Sequence, residues 1–149
     1  MQKSFELLKA TRTNILNVTE HLPIDHLFRI PAHANNHIFW NMAHTIVTQQ
    51  ILCYKFAGLD PRINTSLIDK YKKGTIPDSH QLHEEVSLFR KLSLTTVDQL
   101  QEDYENNIFK EYKTYETSYG FGLNSIEDAI TFNNVHEAMH LGQVKQMIR

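Results

Sequence analysis

The stretch SIEDAITFNNVHEAMHLGQVKQMIR, residues 125–149, decides the fold, because its first four residues read as the start of a helix. Ser125-Ile126-Glu127-Asp128 places an acidic side chain three residues after a serine, the signature of a capping box. A helix is therefore expected to run from there to Arg149. Gly120-Phe121-Gly122, just before it, reads as a turn. Further back, only five glycines and four prolines punctuate the chain, and they fall in a few places, as expected for long helices joined by few connections. The first helix is expected from about Ser4 to Leu22, with Phe5, Leu8, Ile15 and Val18 at helical spacing, and Pro23 ending it. Pro31 marks the following loop. Asn35 or Asn36 is the expected cap of a second helix that reaches Ala57 and stops at Gly58. Residues 59–77 show no clean period. A third helix is expected from Asp78 or Ser79, with Leu82, Val86, Phe89 and Leu100 as core positions. Asn106-Asn107 and the tyrosine-rich stretch to Tyr119 leave its end open. Nothing reads as strand. The linker between helices two and three, roughly 20 residues, can reach ~60 Å when extended. Helix two is only ~33 Å long, so this linker is long enough to be a crossover. The expectation is an all-α, four-helix bundle forming a single domain over residues 1–149.

Composition narrows the function. The chain has 149 residues, 41% apolar and 21% charged, with a formal charge of −2, ordinary values for one globular domain. Lysine and arginine are scattered among the acids and form no basic stripe, so nucleic acid is not an expected partner. No apolar run approaches the ~20 residues that span a bilayer, and no membrane association is expected. The amino terminus carries no signal-like apolar block and Cys53 is the one cysteine, so a cytoplasmic location is expected. The nine histidines are the unusual feature.

Two of them, His136 and His140, stand four apart on the last helix, where both imidazoles can face one ion. Taken alone, the pair reads more readily as two surface or half-buried histidines. His136-Glu137-Ala138-Met139-His140 also matches the HExxH pattern of metalloproteases. In those enzymes a third ligand follows downstream, and no His, Glu or Asp follows His140, so the protease reading is set aside. The best upstream donor is His44, mid-way along helix two. It lies ~13 Å from its helix start, and the pair is centred ~16 Å from Arg149, so antiparallel packing would bring the three to one depth. His37 shares the face of His44 and is a candidate for the mouth of the site, beside a merely structural role. Asn41, Asn133 and Gln143 flank the three histidines and are candidates to orient the rings. Cys53 points about 180° from His44 and reads as a small buried residue. Glu137 is a candidate base or a partner behind a ligating histidine, although a solvated helix face is its expected place.

Trp40-(three residues)-His44, followed far downstream by His136-(three residues)-His140-Leu141-Gly142-Gln143, resembles the DinB-like superfamily over nearly the whole chain. The resemblance implies an up-down-down-up bundle, often a homodimer, with three histidines holding zinc, nickel or a similar divalent ion. Some relatives are transferases or isomerases that use bacillithiol, mycothiol or glutathione. Three neutral histidines leave such an ion at least one open position, where water or a thiol becomes a nucleophile near neutral pH. The expected function is a metal-dependent transferase acting on a low-molecular-weight thiol and an electrophile. A non-enzymatic metal-binding or stress-response module and a metal-assisted hydrolase are the alternatives.

Overall fold

The computed structural model describes residues 1–80 and 82–149. Four long helices pack side by side: α1 (Gln2–Thr19), α3 (Ile38–Cys53), α5 (His83–Glu105) and α6 (Ile126–Ile148). Two short helices join them, α2 (Ile24–Leu27) and α4 (Thr65–Tyr71). α1 lies against α5 and α6, and α3 lies against the same two helices as well as α4. The protein is all-α apart from one short hairpin. Among the described residues, no helix is long and apolar enough to cross a membrane.

α6 keeps the expected start. Ser125 Oγ accepts the Asp128 amide at 3.1 Å, while Asp128 Oδ2 accepts the Asn124 amide at 2.9 Å. α3 begins one or two residues later than the asparagines suggested. Its cap is His37, whose Nδ1 accepts the Trp40 amide at 2.9 Å, and Asn35 and Asn36 stay in the preceding loop. α3 is buried on almost every side, as befits the most central helix. It ends at Cys53. A single 3₁₀ turn over Lys55–Ala57 then reaches Gly58 at φ +71°, the left-handed region that glycine enters without steric cost.

The remaining differences from the sequence reading lie in short elements. α1 ends at Thr19, and Pro23 caps α2 instead of ending α1. α4 sits in the stretch without a clean period, because seven residues are too few to establish one. α5 starts at His83, since Asp78 is engaged elsewhere: its Oδ1 accepts the His80 amide at 2.9 Å, and its carbonyl meets His37 Nε2 at 2.9 Å. Strands β1 (Tyr115–Glu116) and β2 (Gly122–Leu123) form an antiparallel pair where no strand was expected. Thr117 closes this hairpin, its Oγ1 donating to the Phe121 carbonyl at 2.7 Å and accepting the Phe121 amide at 3.1 Å.

The core divides into two apolar clusters. One gathers Ile15, Phe39, Val47, Phe89 and Val144, and the other Leu8, Leu52, Val97, Leu100 and Ile130. Between them in sequence, on all four long helices, lie buried polar residues: Arg12, Gln49, Ser93, Thr96 and Glu137.

Candidate metal centre

His44 projects from α3 and His136 and His140 from α6, and one ligand atom from each lies within 4.8 Å of the others. The ring centroids stand 5.2 Å (His44 to His136), 4.9 Å (His44 to His140) and 4.5 Å (His136 to His140) apart. Trp40 holds the plane of His44 by stacking, with centroids 4.4 Å apart and planes 12° from parallel.

Hydrogen bonds fix which nitrogen faces the centre. His44 Nδ1 meets the Tyr71 carbonyl at 2.8 Å, an acceptor with no proton to give, so Nδ1 donates and Nε2 is left with its lone pair. Asn41 Nδ2 donates to the His37 carbonyl at 3.0 Å, which turns Asn41 Oδ1 toward His140 Nδ1 at 2.8 Å. His140 therefore also carries its proton on Nδ1 and offers a bare Nε2. That atom lies 3.2 Å from Nε2 of His136. Two nitrogens bound tetrahedrally at ~2.0–2.1 Å from one ion would stand ~3.3 Å apart, so the spacing suits a shared cation. Carbonyl oxygens behind two of three imidazoles are the orienting partners expected of metal-ligating histidines.

The electrostatics agree with the donor set. Burial, and then the neighbouring His140 and His44, push the His136 pKa down to about 2. Burial and His44 push His140 down to about 4. Burial also lowers His44, opposed by its bond to Tyr71. All three are thus neutral near pH 7, the form that ligates metal.

The other candidates separate. Asn41 is fully buried and touches His140 directly. Asn133 is also buried but donates to Glu137 Oε1 at 2.8 Å instead of touching a histidine. Gln143 is exposed and lines a separate depression with His33 and Met147. His37 is fully buried with both ring nitrogens engaged, as the cap of α3 and at Asp78, so it does not line the mouth. His21, His33, His80 and His83 are exposed and His26 contacts Arg29, all apart from the cluster. Cys53 is completely buried in the apolar cluster below, and burial pushes its thiol far above the ordinary range.

Glu137 departs most from expectation. It is wholly buried, and its carboxylate forms a two-pronged ion pair with Arg12 of α1. Arg12 Nη1 also donates to the Ser93 carbonyl at 2.9 Å and to Thr96 Oγ1 at 3.3 Å, and Nη2 to Gln49 Oε1 at 3.4 Å. With its oxygens occupied in this way, Glu137 is no free base for the histidine centre. The sequence did carry a signal: Arg12 falls in the stripe Phe5, Leu8, Ile15, Thr19, the buried face of α1.

A pocket of about 290 Å³ opens onto all three histidines. Ile51, Leu52, Phe56, Phe132 and Tyr115 supply its apolar wall, while Thr48, Lys73, Thr117 and Ser118 supply its polar edge. Tyr115, from the tyrosine-rich stretch, stacks on Phe56 at 4.7 Å. Tyr112 instead packs behind, its hydroxyl donating to the Leu52 carbonyl at 2.8 Å. Residues 7–144 match the family model of the DinB superfamily. No curated protein matches the chain.

Proposed function

The chain belongs to the DinB superfamily, and from that footing we propose that His44, His136 and His140 hold one divalent ion, zinc or nickel, beside a substrate pocket. One observation carries the reading: the Nε2 lone pairs of His44 and His140 are fixed inward by carbonyl oxygens at 2.8 Å behind each ring. When bound, the ion supplies a Lewis acid that acidifies a small thiol or a water molecule. Asn41 and the Tyr71 carbonyl hold the imidazole tautomers, and Trp40 fixes the plane of His44. The apolar wall excludes water from the space above the rings. A purely structural site is closed by protein on all sides, so the pocket over these histidines favours a transferase that joins a low-molecular-weight thiol to an electrophile. The non-enzymatic module and the metal-assisted hydrolase share the same centre and are outcomes of the test.

The same reading takes residues 1–149 as a single domain, in a cytoplasmic protein that forms a homodimer. It takes the bundle as up-down-down-up with a crossover between α3 and α5. The order of contacts supports that arrangement: Ser4 meets Asn134 and Arg12 meets Glu137, whereas Lys9 meets Asp98 and Thr19 meets Arg90. Asn41 meets Met147, and Gln49 and Tyr54 meet Thr96 and Asp103.

Metal analysis of the purified protein should find one divalent ion per chain, lost in His136→Ala and kept in His80→Ala. Equal metal content in the two variants would end the proposal. Thiol consumption in the presence of an electrophile panel should vanish in His44→Ala and survive in Cys53→Ala. A Cys53→Ala protein that is folded, metal-loaded and inactive would instead assign the nucleophile to the chain. Turnover with water alone selects the hydrolase, and metal without turnover selects the non-enzymatic module.

A further inference from the structure

We propose that the ligand of this pocket is a small molecule with an apolar body ending in a carboxylate, and that Lys73 receives the carboxylate. The inference rests on the reading that the pocket above His44, His136 and His140 is the functional one.

Charge in the pocket is one-sided. Among the described lining residues Lys73 is the only Lys or Arg and there is no Asp or Glu, so away from the histidines and any ion on them the pocket holds one fixed charge. The neighbouring lysines are already matched: Lys70 pairs with Glu85 and Lys72 with Asp69, both at 2.8 Å. The Lys73 ammonium instead donates to Ser118 Oγ at 3.2 Å, on the loop between β1 and β2. A hydroxyl positions the ammonium without neutralising it.

Between this cation and the histidines the wall is apolar, from Ile51 and Leu52 to Phe132 and the Phe56–Tyr115 stack. A ligand that fits must therefore have an apolar body and a polar group at the Lys73 end. A neutral terminus would leave the Lys73 charge without a counter-ion, and a cationic one would be repelled. A carboxylate meets both demands. The Ser118 hydroxyl and the neighbouring Thr117 stand beside Lys73 on the same polar edge. At about 290 Å³ the space is at the small end for ligand pockets, which suits one ring or short chain.

The experiment compares 4-phenylbutyrate with its neutral twin 4-phenylbutanamide by calorimetric titration, on zinc-loaded and on zinc-free protein. Wild type should bind the carboxylate more tightly than the amide by about threefold or more, the range of a partly exposed ion pair. In the zinc-free protein, where no ion competes for the carboxylate, Lys73→Gln should bring the ratio to about one and leave amide affinity unchanged, and in the zinc-loaded protein it should lower the ratio. Lys73→Arg should restore the preference, and Lys72→Gln should keep it. An unchanged ratio in Lys73→Gln overturns the inference, as does failure of either form of the protein to bind the carboxylate. Zinc content is measured in parallel. Protein that retains zinc but shows no dependence on Lys73 sinks this inference alone. Protein that cannot retain zinc, yet loses its carboxylate preference in Lys73→Gln, sinks the metal reading and keeps this one.

Discussion

Asn41 is a single amide with two jobs, tied by Nδ2 to the His37 carbonyl at 3.0 Å and by Oδ1 to His140 Nδ1 at 2.8 Å. Replacing it with leucine removes the acceptor that fixes the His140 tautomer, so zinc affinity should fall by about 10- to 100-fold. Competition against a chromogenic chelator measures this, and an affinity equal to wild type would deny Asn41 its orienting role. The lowered histidines also set a pH response in the metal-free protein. Below the ordinary pKa of 6.5 the unfolded chain takes up protons that the folded His136, His140, His44 and His37 refuse. The unfolded state then binds more protons, so their contribution to stability is present above about pH 6.5 and is lost as pH falls toward 4. The melting temperature of metal-free protein should drop steadily from pH 7 to 4.5, and a flat profile would contradict it. At this scale the three histidines were legible because His136 and His140 obey helical spacing and His44 sits at matching depth. The Tyr71 carbonyl was not, because a backbone acceptor leaves no side-chain signature. Glu137 was expected on a solvated helix face because its partner, Arg12, is 125 residues away.

At the scale of elements, α3 depends on a histidine where asparagines were expected. His37 accepts the Trp40 amide at 2.9 Å, and its other nitrogen is held at Asp78. His37→Ala should cost about 1 kcal/mol, the usual value of a lost N-cap, with the urea midpoint as the measurement. A midpoint equal to wild type would show that Asn35 or Asn36 takes over the cap. α1 and α5 were legible through apolar spacing, α3 through the asparagines before it and Gly58 after it, and α6 through Ser125, whose side chain caps as its sequence context implied. α4 and the hairpin escaped because each is shorter than the window a period needs. That matters for the site, since the hairpin and the end of α4 bring Tyr115, Ser118 and Lys73 to the pocket edge. Tertiary contacts, such as Lys73 with Ser118 across 45 residues, decide these positions.

For the whole molecule, the two apolar clusters hold many large side chains that owe nothing to a metal, among them Phe39, Phe89, Leu8 and Leu100. Chelation should therefore lower the melting temperature through mass action while leaving the helical far-ultraviolet signal in place. Collapse of that signal on chelation would show that the fold is metal-dependent. The all-α class could be read from the sparse glycines and prolines, but the layer that divides the core could not. Arg12 ties α1 to Glu137 on α6, to Ser93 and Thr96 on α5 and to Gln49 on α3, and both charges are out of reach of water. Detaching any one long helix strips this layer of a partner, and removing one member of a buried pair costs about 3–5 kcal/mol. Partial openings are thereby penalised, and the four helices should come apart together as one cooperative unit. Amide protons flanking residues 12, 49, 93 and 137 should then exchange with solvent deuterium at a single common free energy. Distinct opening energies for α1 and α6 would mean that the charged layer does not hold the helices to one fate.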